Sequence, residues 1–201
     1  SRQHPGVHLT VHEGNTTNLV PRVVSQHLDA AIVHLPVDDP EVVVEPLFAE
    51  DLLLLVHTKH HLSQLDTITL AELATEPLML PPLGTALRRV IDRAAAAVGT
   101  ELQPQVEIDG VRLLTSLAFE GFGAAIVPAT SVPRWLRGDF KRVAIPEMPR
   151  RVVAWVQRRR PAPSSPSRAL ASVLREVVAT QGAKQPGVYV GSDAFPLGRS
   201  V

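Results

Sequence analysis

Three short stretches of this chain place hydroxyls, amides and an arginine where a helix is about to begin. Asn15-Thr16-Thr17 precedes Leu19, Val20, Val23, Val24 and Leu28, which recur at helical spacing. Gly84-Thr85 precedes Leu87, Val90, Ile91, Ala94 and Val98, with Arg88 one turn inside. Gly110-Val111-Arg112 opens a third helical stretch that closes near Gly121. The first N–H groups of a helix have no partner within it and sit at the positive end of its dipole, so each start can hold a small anion. The chemistry on offer is therefore recognition of an anionic group rather than a reaction on it. Leu35, Pro36 and Pro82, where two apolar segments end, join these as candidate ligand contacts. A plainer role competes at every one of them. Asn15, Thr16, Thr17 or Thr85 could simply cap its helix, which is worth about 1 kcal/mol, and Arg88 could be a solvated surface residue.

Reactive constellations are weaker. His57 and His61 share the i, i+4 spacing of a zinc pair, with His60 between them, but the stretch follows a strand pattern and lacks the Glu of H-E-x-x-H. His12-Glu13 has no nucleophile or orienting group nearby, and no G-x-S-x-G elbow occurs. No catalytic residue, metal ligand or cofactor is predicted. Arg150-Arg151 and Arg158-Arg159-Arg160 are the basic clusters, and they lack the helical or aromatic presentation that nucleic acid requires. Trp135 and Trp155 read as packing or dimer-contact residues.

The elements that must position the helix starts alternate along the chain. Val7 to Val11 has the period-2 pattern of a half-buried strand. Asp29 to Leu35 is an apolar run suited to a parallel strand covered on both faces. With the intervening helix, for which Pro21 falls near the first turn, they make one βαβ unit. Val42 to Val44 and Asp51 to Val56 read as strands broken apart by Glu45-Pro46. Further strands are predicted at 78–80, 105–108, 123–127, 142–145 and 152–156. A short helix is predicted at 70–74, and a last helix begins at Ser165-Pro166 with Ser165 as its cap. The class is α/β.

Bulk properties narrow the rest. Twenty basic residues balance twenty acidic ones, so no global field draws the chain to nucleic acid or to an anionic membrane. The absence of cysteine removes disulfides and thiolate chemistry. The longest aliphatic run, Leu52 to Val56, is far short of a membrane span, and the first residues carry no apolar signal-peptide core. A cytoplasmic location is the default expectation.

Seven stretches in register resemble the effector-binding domain of LysR-type transcriptional regulators. They are His4-Pro5-Gly6-Val7 leading into Glu13-Gly14-Asn15-Thr16-Thr17, Leu28-Asp29-Ala30-Ala31-Ile32-Val33, Glu45-Pro46-Leu47, Glu50-Asp51-Leu52, Leu70-Ala71-Glu72-Leu73 and Gly121-Phe122-Gly123-Ala124-Ala125-Ile126-Val127-Pro128. The resemblance covers residues 1 to about 182; His61 departs from it, standing where the family usually has proline. It implies a fold like that of type 2 periplasmic binding proteins, with two Rossmann-like lobes and a cleft between them. One lobe would be 1–59 plus 152–182 and the other 60–151, leaving 183–201 as a disordered tail or at best an ordered strap. It also implies a small-molecule effector, for which the helix starts favour a carboxylate, and homodimers that become tetramers in the intact regulator. Promoter DNA would be reached only through a winged helix-turn-helix that nothing in this chain resembles. Two other readings stand beside this one: a solute-binding protein of the same fold, and an enzyme on an α/β scaffold.

Overall fold

The computed structural model describes residues 4–195, and expectations for residues 1–3 and 196–201 lie outside the described residues. In chain order the elements begin with α1 (Thr16–Val24), β1 (Ala30–His34), β2 (Val42–Glu50), β3 (Leu52–His57) and α2 (Leu70–Leu73). They continue with β4 (Leu78–Leu80), α3 (Ala86–Ala97), β5 (Pro104–Glu107), α4 (Val111–Phe119) and β6 (Ala124–Pro128). The last are β7 (Phe140–Ala144), β8 (Arg151–Arg158), α5 (Ser165–Gln181) and the two-residue β9 (Val188–Tyr189). This is an α/β chain with two sheets. It divides into two compact units, Ser1–Ala49 with Arg151–Lys184 and Tyr189–Val201, and Glu50–Arg150 with Gln185–Val188.

In the first unit the sheet order is β1-β8-β2-β9. Side chains alternate across a strand, so Val156 and Trp155 face opposite ways. Leu19, Val20 and Val23 of α1 pack with Ala31, Val33, Val42 and Val156 on one face. Leu170, Ala171, Leu174 and Val178 of α5 pack with Leu47 and Trp155 on the other. Trp155 is thus a core residue, whereas Trp135, in the second unit, is 74% exposed.

Several expectations about this unit are corrected. Val7 to Val11 forms no strand: it has no regular secondary structure, Val11 is 89% exposed, and no ladder bond is described for it. A period-2 pattern marks which faces could be buried, but it cannot supply a neighbouring strand. β1 is not a parallel strand covered on both sides. It pairs antiparallel with β8, with His34 opposite Val153, and Ile32 remains half exposed. The βαβ unit therefore does not close among the described residues. Pro46 does not break β2, which runs through it from Val42 to Glu50. Pro21 lies beyond the first turn of α1, and the cap of α5 is Ser164, one residue ahead of the expected Ser165.

The second unit has the sheet order β5-β4-β6-β3-β7. β5, β4 and β6 run parallel, and β3 pairs antiparallel with both β6 and β7. Every residue of Leu52–Val56 is buried, as a central strand covered on both faces requires. Leu87, Ile91, Ala94 and Ala95 of α3 bury into the cluster of Leu54, Leu78, Leu80, Leu102 and Ile126. Residues 183–195 carry a 3-10 turn, β9 and a second 3-10 turn, and Gln185 bonds through its side-chain amide to the Ala129 and Val132 carbonyls at 3.0 Å each.

Candidate functional site

In the first unit the α1 start is built around Asn15, whose side-chain oxygen accepts the Asn18 N–H at 3.0 Å and the Thr17 hydroxyl at 2.7 Å. Asn15 is the N-cap, and no acid stands in the first turn. The Thr16 and Thr17 N–H groups remain as the outward donors of this helix end. The Thr16 hydroxyl turns inward: its oxygen accepts the backbone N–H of His34 at 3.2 Å and lies 3.4 Å from the His34 carbonyl. That contact fastens the helix start to the C-terminal end of β1. It brings the predicted Asn15, Thr16 and Thr17 beside half-buried Leu35 and exposed Pro36.

His34 itself escaped prediction from sequence, because it reads there as one more residue of an apolar strand. Its ring is largely buried, and its Nδ1 has no hydrogen-bond partner. Burial, then the positive charge of Arg151, lowers its pKa from 6.5 to about 3. The imidazole is therefore neutral at physiological pH.

In the second unit β4 and β5 lie side by side and parallel, so the loops that follow them leave the same edge of the sheet. The α3 start carries Gly84 in the left-handed region, φ 82°, which favours glycine. Thr85 caps α3 by accepting the Arg88 N–H at 3.3 Å, and its hydroxyl donates to the Pro82 carbonyl at 2.9 Å. Gly110, φ 99°, precedes α4 and supplies no side-chain cap, so the Val111 and Arg112 N–H groups are left uncapped. Neither α3 nor α4 has an acid in its first turn. Pro82, Gly84, Thr85, Gly110, Val111 and Arg112 thus gather at the C-terminal edge of two parallel strands, where open α/β sheets hold ligands.

Arg88 has another task. Only 6% of its side chain is exposed, and its guanidinium donates to Asp92 at 2.8 Å, Glu107 at 2.9 Å and the Pro81 carbonyl at 3.1 Å. It ties α3 to the ends of β4 and β5. The remaining expectations find local roles as well. His57 and His60 accept the Lys59 and Leu62 N–H groups through Nδ1, and His61 meets Glu76 at 3.1 Å. Among the described residues no three His, Cys, Asp or Glu side chains gather as a metal site would need. Arg158 pairs with Glu41 at 3.2 Å, and Arg159 donates to the Pro40 and Val42 carbonyls. Two half-open pockets, about 210 Å³ in the first unit and about 410 Å³ in the second, are lined by none of the predicted contacts. The candidate contacts are open helix starts. No helix among the described residues is long and apolar enough to cross a membrane.

The profile of the LysR substrate binding domain matches residues 1–179. The chain belongs to this family. Among curated relatives, the hydrogen peroxide-inducible genes activator of Pectobacterium carotovorum is 28% identical over 182 residues, 87% of this chain and 59% of that protein. The dual regulator OxyR of Escherichia coli K12 is 27% identical over 176 residues, 87% of this chain and 56% of OxyR. This LysR-family chain therefore spans little more than half the length of those relatives. Among solved structures, the QuiR effector-binding domain in complex with shikimate superposes with a TM-score of 0.73 at 19% identity, covering 88% of this chain and 84% of that one. The BenM effector-binding domain with its effector benzoate gives 0.72 at 22%, covering 92% and 85%. The fold is that of LysR effector-binding domains, the periplasmic-binding-protein-like arrangement.

Proposed function

We propose that this chain is the effector-sensing part of a LysR-type transcription regulator and that its effector is a small carboxylate. The observation that carries the anionic class is the uncapped start of α4 behind Gly110, at the same sheet edge as the acid-free start of α3. Exposed N–H groups at the positive end of a helix match a carboxylate's acceptor oxygens. Thr16 and Thr17 of α1 offer the same donors in the first unit. The two structural relatives point the same way, since shikimate and benzoate are both carboxylates.

The names of the peroxide-inducible relatives do not transfer so readily. Thiol oxidation needs a cysteine, and this chain has none. Reversible binding of a metabolite fits the available residues better than redox chemistry. The effector would act by binding two arrangements of the regulator unequally, which is the only way a ligand shifts a conformational equilibrium. DNA would be reached through the rest of a longer cytoplasmic protein working as a homodimer or tetramer.

The test is a thermal-shift screen of the chain against small carboxylates, benzoate and shikimate among them. A ligand at 100 times its Kd stabilises by about 2.7 kcal/mol, and that shift should shrink in Val111→Pro, which removes the first backbone donor of α4 at a position where a helix tolerates proline. Unchanged affinity in that variant would remove the proposed α4 contact.

A further inference from the structure

We infer that the half-open pocket of about 210 Å³ in the first unit is a second ligand site, suited to a small aliphatic α-amino acid. It does not depend on the carboxylate reading above. It lies at the end of the β1–β8 ladder where Ala30 pairs with Gln157, about 13 Å along the strand from the His34–Val153 pair.

Two of the residues that line it carry hydrogen-bonding atoms with no partner. Ser167 of α5 is only 6% exposed, and its Oγ is buried without a hydrogen bond. A helical serine commonly turns its hydroxyl back on a carbonyl of the preceding turn. Here Arg168 occupies both of those carbonyls: its backbone N–H bonds Ser164 at 3.0 Å and its guanidinium bonds Pro163 at 2.6 Å. Arg158, at the end of β8, is the second such residue. Its terminal nitrogen donates to Glu41 at 3.2 Å, while its Nε is buried and unpartnered. Buried polar groups are nearly always paired, so a partner missing from the chain has to come from the adjoining space. A bridging water takes about 30 Å³, and this pocket is several times larger. It is smaller than the roughly 300–1,000 Å³ of sites for drug-sized molecules, which limits the occupant to a small metabolite.

The two orphaned atoms set the class of ligand. A guanidinium N–H and a hydroxyl are both donors, and the charge on Arg158 favours an anionic acceptor. The opposite sign stands at the rim. Asp29 is exposed, lines the pocket and has no ion pair or hydrogen bond among the described residues. It would repel a simple anion, whereas an ammonium beside the carboxylate satisfies both ends. Val23, Leu28, Pro161 and Pro163 supply apolar wall for an aliphatic side chain. Gln26, also on the lining, is the one non-glycine residue at positive φ, 63°, among the described residues. Glycine would stand there with less strain, so the side-chain amide is held at this rim at some cost to the backbone.

The experiment titrates the whole chain with glycine, L-alanine, L-valine and L-leucine, following the Gln26, Asp29 and Ser167 backbone amides by ¹⁵N NMR. The halves of valine, 3-methylbutanoate and isobutylamine, serve as controls. At least one amino acid should move all three amides with a single Kd, and each half of valine should bind about tenfold more weakly than valine or worse. Ser167→Ala and Asp29→Asn should each weaken the best amino acid by about tenfold. The ligand-free Tm of Ser167→Ala should equal or exceed the parent's, because the change removes a buried hydroxyl that has no partner. A lower Tm would show that the chain already satisfies this hydroxyl, and would overturn the site. Unchanged affinity in both variants, or no movement of the amides at millimolar amino acid, would overturn it as well. 3-Methylbutanoate binding as tightly as valine would remove the ammonium contact and with it the amino-acid class.

Discussion

The hydroxyl oxygen of Thr16 accepts the backbone N–H of His34 at 3.2 Å, tying the first turn of α1 to the last residue of β1. The bond is part-buried, so removing the hydroxyl strands a donor with poor access to water. Thr16→Ala should lower unfolding stability by about 1–2 kcal/mol, whereas Thr16→Ser, which keeps the oxygen, should stay within about 0.5 kcal/mol. Urea denaturation of the two variants separates these outcomes. Because the hydroxyl is engaged inward, the ligand contact proposed for Thr16 runs through its backbone N–H.

Arg88 should prove structural. Its guanidinium is buried, but Asp92 and Glu107 are each about two-fifths exposed, so water screens part of what is lost. Arg88→Met should destabilise by about 1–3 kcal/mol. Carboxylate affinity at a temperature where the variant is folded should change by less than about threefold. A large affinity loss without destabilisation would return Arg88 to the binding site.

Arg88 and His34 also show where local pattern stops being informative. Much of the α3 segment was legible: Thr85 caps it and Leu87, Ile91 and Ala94 bury, though Val90 is only half-buried and Val98 is exposed. These are decided within a few residues of chain. Arg88 looked solvated because its partner Glu107 is 19 residues away on β5, a distance that no helical period reports. His34 looked like strand filler because its surroundings come from Arg151 and from Thr16, 18 residues earlier. Val7 to Val11 failed in the opposite direction, since its pattern was right for a strand and no neighbour is described alongside it. Period tells which side of a segment would be buried, and pairing decides whether it is.

His34 should leave a signature in the pH dependence of stability. The unfolded chain protonates this residue below about pH 6.5, while the folded chain holds its pKa at about 3. Between those values the unfolded state binds more protons, so stability falls as pH drops through the window. At pH 5 the loss relative to pH 8 is about 2 kcal/mol. The lowered carboxylates Glu45, Asp66 and Glu72 lose their contribution at lower pH, and His60 is unchanged in the variant. Urea midpoints at pH 8 and pH 5 should therefore differ less in His34→Gln than in the parent. An equal difference would mean the ring is not held neutral.

Gly187 anchors residues 185–188 to the second unit. It sits at φ 73°, its carbonyl accepts the Asp51 N–H at 2.8 Å, and an added Cβ would stand 2.9 Å from the Ala129 Cβ. Gly187→Ala combines an unfavourable backbone with a steric clash, and should cost about 1–3 kcal/mol. Hydrogen exchange at the Asp51 amide should accelerate with it. Unchanged exchange would show that the backbone absorbs the methyl group without loosening this attachment.

The central claim is that the chain recognises a carboxylate through donor-rich helix starts, and a calorimetric melt with matched ligand pairs tests it most directly. Each small acid is compared with its own neutral amide, benzoate with benzamide and shikimate with its amide, across a panel of such pairs. The account predicts that at least one acid, at about 100 times its Kd, raises Tm by about 5–10 °C while its amide leaves Tm unmoved. An amide that stabilises as strongly as its acid, or a panel in which no acid raises Tm at millimolar concentration, would contradict it.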